Sequence, residues 1–264
     1  MASLYLNESL HPDAFEAGRR LPVGGADARH ATQVARIRTG ERVAVGDGRG
    51  RLAWGRVVHI GQGEFAIEAD EIVLAERPSP RLILVQALAK GDRDELAIQA
   101  ATELGVDEVV PWQASRSVSV WKGDKVAKGL ERWRAVVREA AKQAIRPVVP
   151  EVGGLVTTKE LVASVSAPGL LSEPEASRRD LVLVLEPSAL ESFAEALRLG
   201  PASLAPEAGR ITLIVGPEGG IDGWELRELE LAGARLVRLG PEVLRTSTAG
   251  PAALAALQVL LGRW

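Results

Sequence analysis

The sequence contains no cysteine and only three histidines, His11, His30 and His59. Without cysteine there is no disulfide, no thiolate metal site and no cysteine nucleophile, and the cytoplasm is the expected compartment. The histidine spacing matches no metal pattern, so no metal is expected. No apolar run approaches the roughly 20 residues of a membrane span, which excludes a membrane role by that route. The opening Met1-Ala2-Ser3-Leu4-Tyr5-Leu6-Asn7-Glu8 has no basic n-region, so it does not read as a secretory signal. What is present is ordinary for a globular protein: 264 residues, 46% hydrophobic and 25% charged, enough for one large domain or two. The net charge of −3 gives no overall pull on a polyanion, but it hides local patches.

The first segment has a β rhythm. Arg42-Val43-Ala44-Val45 runs into the turn Gly46-Asp47-Gly48-Arg49-Gly50, and Leu52, Trp54, Arg56, Val58 and Ile60 then alternate with their neighbours. After Gly61-Gln62-Gly63, Phe65, Ile67 and Ala69 alternate again. Short strands joined by glycine turns predict a small β-barrel, entered by a helix over Asp27 to Ile37. Arg77-Pro78-Ser79-Pro80 reads as a linker, which divides the chain into a domain of residues 1–76 and a domain of residues 77–264. Beyond it strands alternate with helices. Leu82 to Val85, Val109-Val110, Leu181 to Leu185, Ile211 to Val215 and Leu236 to Leu239 read as buried strands. Asp92 to Leu104, Asp124 to Ile145, Ser188 to Leu199 and Asp222 to Ala232 read as helices. That alternation predicts an α/β domain with a mostly parallel sheet covered on both faces. Ala167 to Asp180 reads as a surface excursion.

Two loops follow buried strands. Gly216-Pro217-Glu218-Gly219-Gly220-Ile221 leads into Asp222-Gly223-Trp224-Glu225, which has capping-box spacing, so the loop presents amides at a helix N-terminus. On its own it is also what a tight strand-to-helix turn looks like. It lacks the Gly-Lys-Ser/Thr ending of a P-loop and the glycine spacing of a dinucleotide site. The second loop, Leu239-Gly240-Pro241-Glu242-Val243-Leu244-Arg245-Thr246, sets apolar side chains beside bare backbone, which suits a flat heteroaromatic ring. Arg245 reads either as a site cation or as a surface ion-pair partner. Thr246, Ser247 and Thr248 are N-cap candidates for a last helix over Pro251 to Leu261. That helix is apolar all round, which predicts burial on every side, under its own chain or a second subunit.

Between Arg116 and Arg146, nine basic residues face three acidic ones. Arg134, Arg138, Lys142 and Arg146 fall four apart, a stripe along one helix that a polyanion such as RNA would need. The ordinary alternative is a solvated face.

The two glycine loops, with Lys90-Gly91-Asp92-Arg93, Glu103-Leu104-Gly105-Val106, Val110-Pro111-Trp112 and Glu139-Ala140-Ala141-Lys142-Gln143, resemble the RsmE family. Those enzymes are ribosomal RNA uracil-N3 methyltransferases of the SPOUT class, and the resemblance covers nearly the whole chain. It implies a PUA-like β-barrel followed by a SPOUT-type α/β domain with a C-terminal trefoil knot. It further implies a homodimer and S-adenosylmethionine bound by Leu185, Glu186, Gly216, Pro217, Glu218, Gly219, Gly220, Ile221, Leu239, Gly240, Val243, Leu244, Arg245 and Thr246. Arg116, Arg134, Arg138, Lys142 and Arg146 are the candidate RNA contacts, and 16S ribosomal RNA or the small subunit is the implied partner. The chain departs from the family at Ser247, where glutamate is usual, at Ser3-Leu4-Tyr5, and at Arg29-His30, where paired histidines are common. Methyl transfer from a sulfonium needs no metal and no covalent enzyme intermediate, which fits this inventory. Arg245 is the candidate catalytic group, a cation stabilising the uracil anion as its N3 proton leaves. Two alternatives are a SPOUT methyltransferase acting on another RNA base and a non-catalytic RNA-binding assembly factor.

Overall fold

The computed structural model describes residues 3–76, 78–166, 180–198 and 209–264. The expected excursion after Ala167 and the end of the helix expected to reach Leu199 lie outside the described residues. Contacts group the chain into two compact units, Met1–Arg77 with Arg138–Val149, and Pro78–Val137 with Pro150–Trp264.

The first unit contains β1 (Leu4–Leu6), β2 (Arg20–Val23), α1 (Gly25–Arg29), β3 (Arg42–Gly46), β4 (Arg51–Ile60) and β5 (Phe65–Leu74). The strands form one sheet in the order β1-β3-β4-β5-β2, antiparallel except where β1 lies parallel to β3. All five strands send side chains into one core around Tyr5, Leu21, Val43, Val57, Phe65 and Ile67. The Tyr5 and Phe65 rings meet edge to face, 5.1 Å apart. The expected helix starts two residues earlier, at Gly25, and passes at His30 into a π-helical stretch that ends on Arg36 in a left-handed conformation. Its Ala28 and Ala31 pack into the same core. Ile145 and Val149 join a second cluster with Leu4, Leu6 and Leu52, in keeping with the place of Arg138–Val149 in this unit.

The second unit contains β6 (Arg81–Ala87), α2 (Arg93–Glu103), β7 (Glu108–Gln113), most of α3 (Asp124–Gln143), β8 (Glu151–Val152), β9 (Val156–Thr157), α4 (Thr158–Ser166), β10 (Leu181–Leu185), α5 (Phe193–Arg198), β11 (Arg210–Val215), α6 (Gly223–Leu231), β12 (Arg235–Val237) and α7 (Thr246–Leu260). Its strands are all parallel, in the order β12-β10-β11-β6-β7-β8, with β9 also paired to β7. β6 and β11 are buried on both faces, which is why they read as unbroken apolar runs rather than alternating ones. Ile83 and Val85 face Leu161 of α4 and Leu229 of α6. Leu84 points the other way, toward α7.

α7 departs from its expected form. It begins at Thr246, five residues before Pro251, and its N-cap is Arg245, not one of the three hydroxyl residues. A proline suggests a helix start because its missing N–H costs nothing there. Here Pro251 lies inside the helix. Nor is the helix buried all round: Leu254 and Leu257 are fully buried, while Val259 and Leu260 are 61% and 53% exposed. Gln258 is buried and donates to the Leu104 carbonyl at the end of α2 (2.7 Å).

Candidate active site

Loops at the carboxyl ends of adjacent parallel strands converge on one cavity of about 440 Å³. β10 supplies Leu185 and the residues after it, β11 supplies Val215 and the first glycine loop, and β12 leads to the second. Every expected cofactor residue except Gly219 lines this cavity. Gly219 faces away: its carbonyl accepts from Arg116 Nη1 (3.3 Å).

The first loop is shaped by what lies around it. At Gly216 a Cβ would fall 2.5 Å from Ile221 Cγ1, so the turn closes this tightly only with glycine. Gly220 sits at φ +73°, a left-handed conformation that glycine adopts freely. The capping box at Asp222 and Glu225 is formed as the spacing predicts. Glu225, fully buried, also accepts from the Ser115 N–H (2.9 Å), the Ser115 hydroxyl (2.8 Å) and the Thr158 hydroxyl. A buried carboxylate is tolerated because it is saturated with donors. Arg116, expected on RNA, instead pairs with Asp222 (2.9 Å) and braces the loop from outside.

Glu218 is the loop's charged member. Its carboxylate accepts from the Lys90 N–H (3.0 Å) and from Arg93 Nη1 (2.8 Å). Partial burial raises its pKa, but the hydrogen bonds from its own backbone, Arg93 and Lys90 outweigh that and hold it below the usual glutamate value. Arg93 lines the cavity as a second cation. Gln86, at the end of β6, donates to the Thr246 hydroxyl (2.8 Å), which donates to the Gly216 carbonyl (2.7 Å). Neither Arg93 nor Gln86 was singled out by motif as a site residue. Arg93 stands in the Lys90-Gly91-Asp92-Arg93 motif that carries the resemblance, but its partner Glu218 lies 125 positions away and the Thr246 partner of Gln86 lies 160 away, so no local pattern gives either residue this role.

Arg245 lines the cavity, exposed, in extended backbone. No carboxylate pairs with it among the described residues, so the brace alternative has no partner there. The basic stripe divides. Arg134 is exposed, again without an ionic partner among the described residues. Arg138 is held by Asp27 and Glu8 (3.0 Å each), and Lys142 by Asp27 (3.0 Å) and Glu139 (2.9 Å). Arg146 lies beyond the end of α3, half-buried. Among the described residues no cluster of metal-ligating side chains occurs and no helix is long and apolar enough to cross a membrane.

Residues 75–258 match the family model of an RNA methyltransferase domain, and residues 23–69 that of an RNA methyltransferase PUA domain. The class is therefore that of the RNA methyltransferases with the SPOUT fold, an α/β domain preceded by a PUA-like one. The chain is 44% identical over 249 residues to Ribosomal RNA small subunit methyltransferase E of Mycobacterium bovis, covering 94% of this chain and 90% of that one. Identity to the Bacillus subtilis protein of the same name is 28% over 244 residues, 92% and 91% of the two chains. A crystal structure of Ribosomal RNA small subunit methyltransferase E from Neisseria gonorrhoeae bound to S-adenosyl methionine has the same fold, with a TM-score of 0.80 at 24% identity and 98% of each chain covered. The chain belongs to the ribosomal RNA small subunit methyltransferase E family.

Proposed function

We propose that this chain methylates N3 of a uridine in 16S ribosomal RNA, with S-adenosylmethionine as methyl donor. The observation that carries the proposal is the single cavity into which the two glycine loops and the end of β10 converge. Its volume is that of a small-molecule site, and its walls combine apolar side chains (Ile221, Leu239, Val243, Leu244) with bare backbone at Gly216, Gly220 and Gly240. Such walls fit an adenosine moiety, and Glu186 and Glu242 give the cavity carboxylates suited to a cationic ligand. The donor supplies an electrophilic methyl group on a sulfonium. This chain must hold uracil N3 in line with it, and Arg245, exposed in the cavity, is the proposed cation for the charge that develops as the N3 proton leaves.

Residues 1–76 and the exposed Arg134, with Lys122, Lys125 and Lys128 before it, are the proposed RNA contacts. A homodimer is the proposed assembly, and the exposed Val259 and Leu260 on a helix with no charged residue support it. Leu260→Asp is expected to shift light scattering from dimer to monomer without loss of fold. Leu257→Asp would not serve, since Leu257 is core.

The direct test is calorimetry of S-adenosylmethionine binding, with mapping of the methylated nucleotide in 16S RNA from a strain lacking the gene, before and after incubation with the protein. Appearance of N3-methyluridine at one position supports the proposal. A methyl group on another base would move the chain to the first alternative, and cofactor binding without any methyl transfer to the second.

A further inference from the structure

Gln86 is a polar side chain with 0% exposure, in a strand whose other buried residues, Leu82 to Val85 and Ala87, are all apolar, and it does not line the cavity. Its Nε2 donates to the Ala87 carbonyl (3.2 Å) and to the Thr246 hydroxyl (2.8 Å). Because a carbonyl only accepts, the Ala87 contact fixes which end of the amide is nitrogen. Thr246, with a lone pair so occupied, gives its one proton to the Gly216 carbonyl (2.7 Å). The result is a directed chain from β6 through the first residue of α7 to the first residue of the glycine loop after β11. Gly216 opens one cofactor loop and Thr246 closes the other. The other end of the amide is left over: Gln86 Oε1 is buried with no hydrogen-bond partner among the described residues. An unpaired buried carbonyl destabilises a fold, and an apolar side chain of similar shape would avoid it.

We infer that Gln86 is a positioning residue, which sets the distance and orientation between the two cofactor loops through Thr246 without touching the ligand. The inference rests on the proposal that this cavity takes S-adenosylmethionine. Ile221 packs against Gly216, where a Cβ would fall 2.5 Å from its Cγ1, so no side chain at that position could take over the role.

The test uses the full chain and two near-isosteric variants that cannot make the bonds, Gln86→Met and Thr246→Val, together with their double variant. S-adenosylmethionine affinity is measured by calorimetry, and the melting temperature of the ligand-free protein alongside it. Each single change is expected to weaken binding on the order of tenfold, the loss of one well-placed hydrogen bond. The double variant is expected to be no worse than the weaker single one, because both break the same chain. Thr246→Ser, which keeps the hydroxyl, should regain most of what Thr246→Val loses. The ligand-free melting temperature of Gln86→Met should hold or rise, since the orphan carbonyl goes with the amide. Normal affinity in Gln86→Met, additive losses in the double variant, or a fall in melting temperature that tracks the loss of affinity would each overturn the positioning role. Wild-type protein that fails to bind S-adenosylmethionine would refute the cofactor proposal itself, and this inference with it.

Discussion

At the scale of single residues, substitution of Arg245 would separate a catalytic role from a binding one. It faces the cavity without a carboxylate partner among the described residues, so its charge is available to a ligand or to a charge that forms during reaction. A group that acts mainly in the transition state lowers turnover when removed and leaves the affinity of the ground state largely intact. Arg245→Ala is therefore expected to lower kcat on the order of a hundredfold, with a far smaller change in S-adenosylmethionine affinity. Arg245→Lys keeps the charge but loses the planar fork, and should fall between. Parallel losses of turnover and cofactor affinity in Arg245→Ala would show that the side chain only shapes the loop. The residues beside it differ in how far the sequence exposes them. The two loops are legible because glycine and proline punctuate the ends of apolar strands, and the capping box from Asp222 to Glu225 is a four-residue pattern. Gln86 reaches the site through the pairing of β6 with β11, where it lies opposite Val215, and Arg93, at the start of α2, through its bond to Glu218; both link residues more than a hundred positions apart. Nothing in their neighbourhoods along the chain announces that.

At the scale of elements, α7 shows how close packing and local signals can disagree. Its Gly250 lies over the sheet, where a Cβ would stand 2.9 Å and 3.2 Å from the two methyl groups of Leu84 and 3.5 Å from Val215. The absence of a side chain lets the helix settle directly on β6 and β11. Gly250→Val is expected to destabilise the protein by about 1–3 kcal/mol through overpacking, read as a lower midpoint in denaturant. An unchanged midpoint would mean that the helix shifts at little cost. The same contact explains why the start of α7 was not legible at Thr246. Tertiary burial at Gly250 and Pro251 holds a first turn that local propensity argues against. The strands suffered less from this conflict. The run at Leu181–Leu185 has the expected bounds, and that at Ile211–Val215 extends one residue earlier, because burial on both faces leaves an unmistakable apolar block.

At the scale of the whole molecule, the charge of α3 falls into an exposed part and a paired part. Arg134 is solvent-facing, and Arg134→Glu should weaken RNA binding and flatten its salt dependence as fewer counterions are released. An unaltered salt slope would leave Arg134 a solvated surface residue. Arg138 and Lys142 are structural, since they neutralise Asp27, which is 4% exposed and also accepts from the Leu6 N–H (2.7 Å). Burial raises the Asp27 pKa, but the bonds from Arg138, Leu6 and Lys142 prevail and lower it below its ordinary 3.8. The stabilisation is therefore complete above about pH 4 and is lost as pH falls through the lower folded value. Asp27→Asn should cost on the order of 3 kcal/mol at neutral pH, and the gap to wild type should close as both are acidified below pH 4. A gap that stays constant with pH would assign the loss to packing instead.

That triad also bears on modularity. The linker at Pro78 invites a cut that would treat the N-terminal sheet as a detachable part. The buried carboxylate of Asp27, on the helix that packs into the core of that sheet, is however answered by two cations that arrive more than a hundred residues later, before Ile145 and Val149, which add to the sheet's hydrophobic cover. A fragment ending at the linker would carry a buried charge with neither cation and an apolar face without its lid. In evolutionary terms, this sheet is not a module that one recombination breakpoint could add or remove: it takes two segments of the gene, and the segments must travel together.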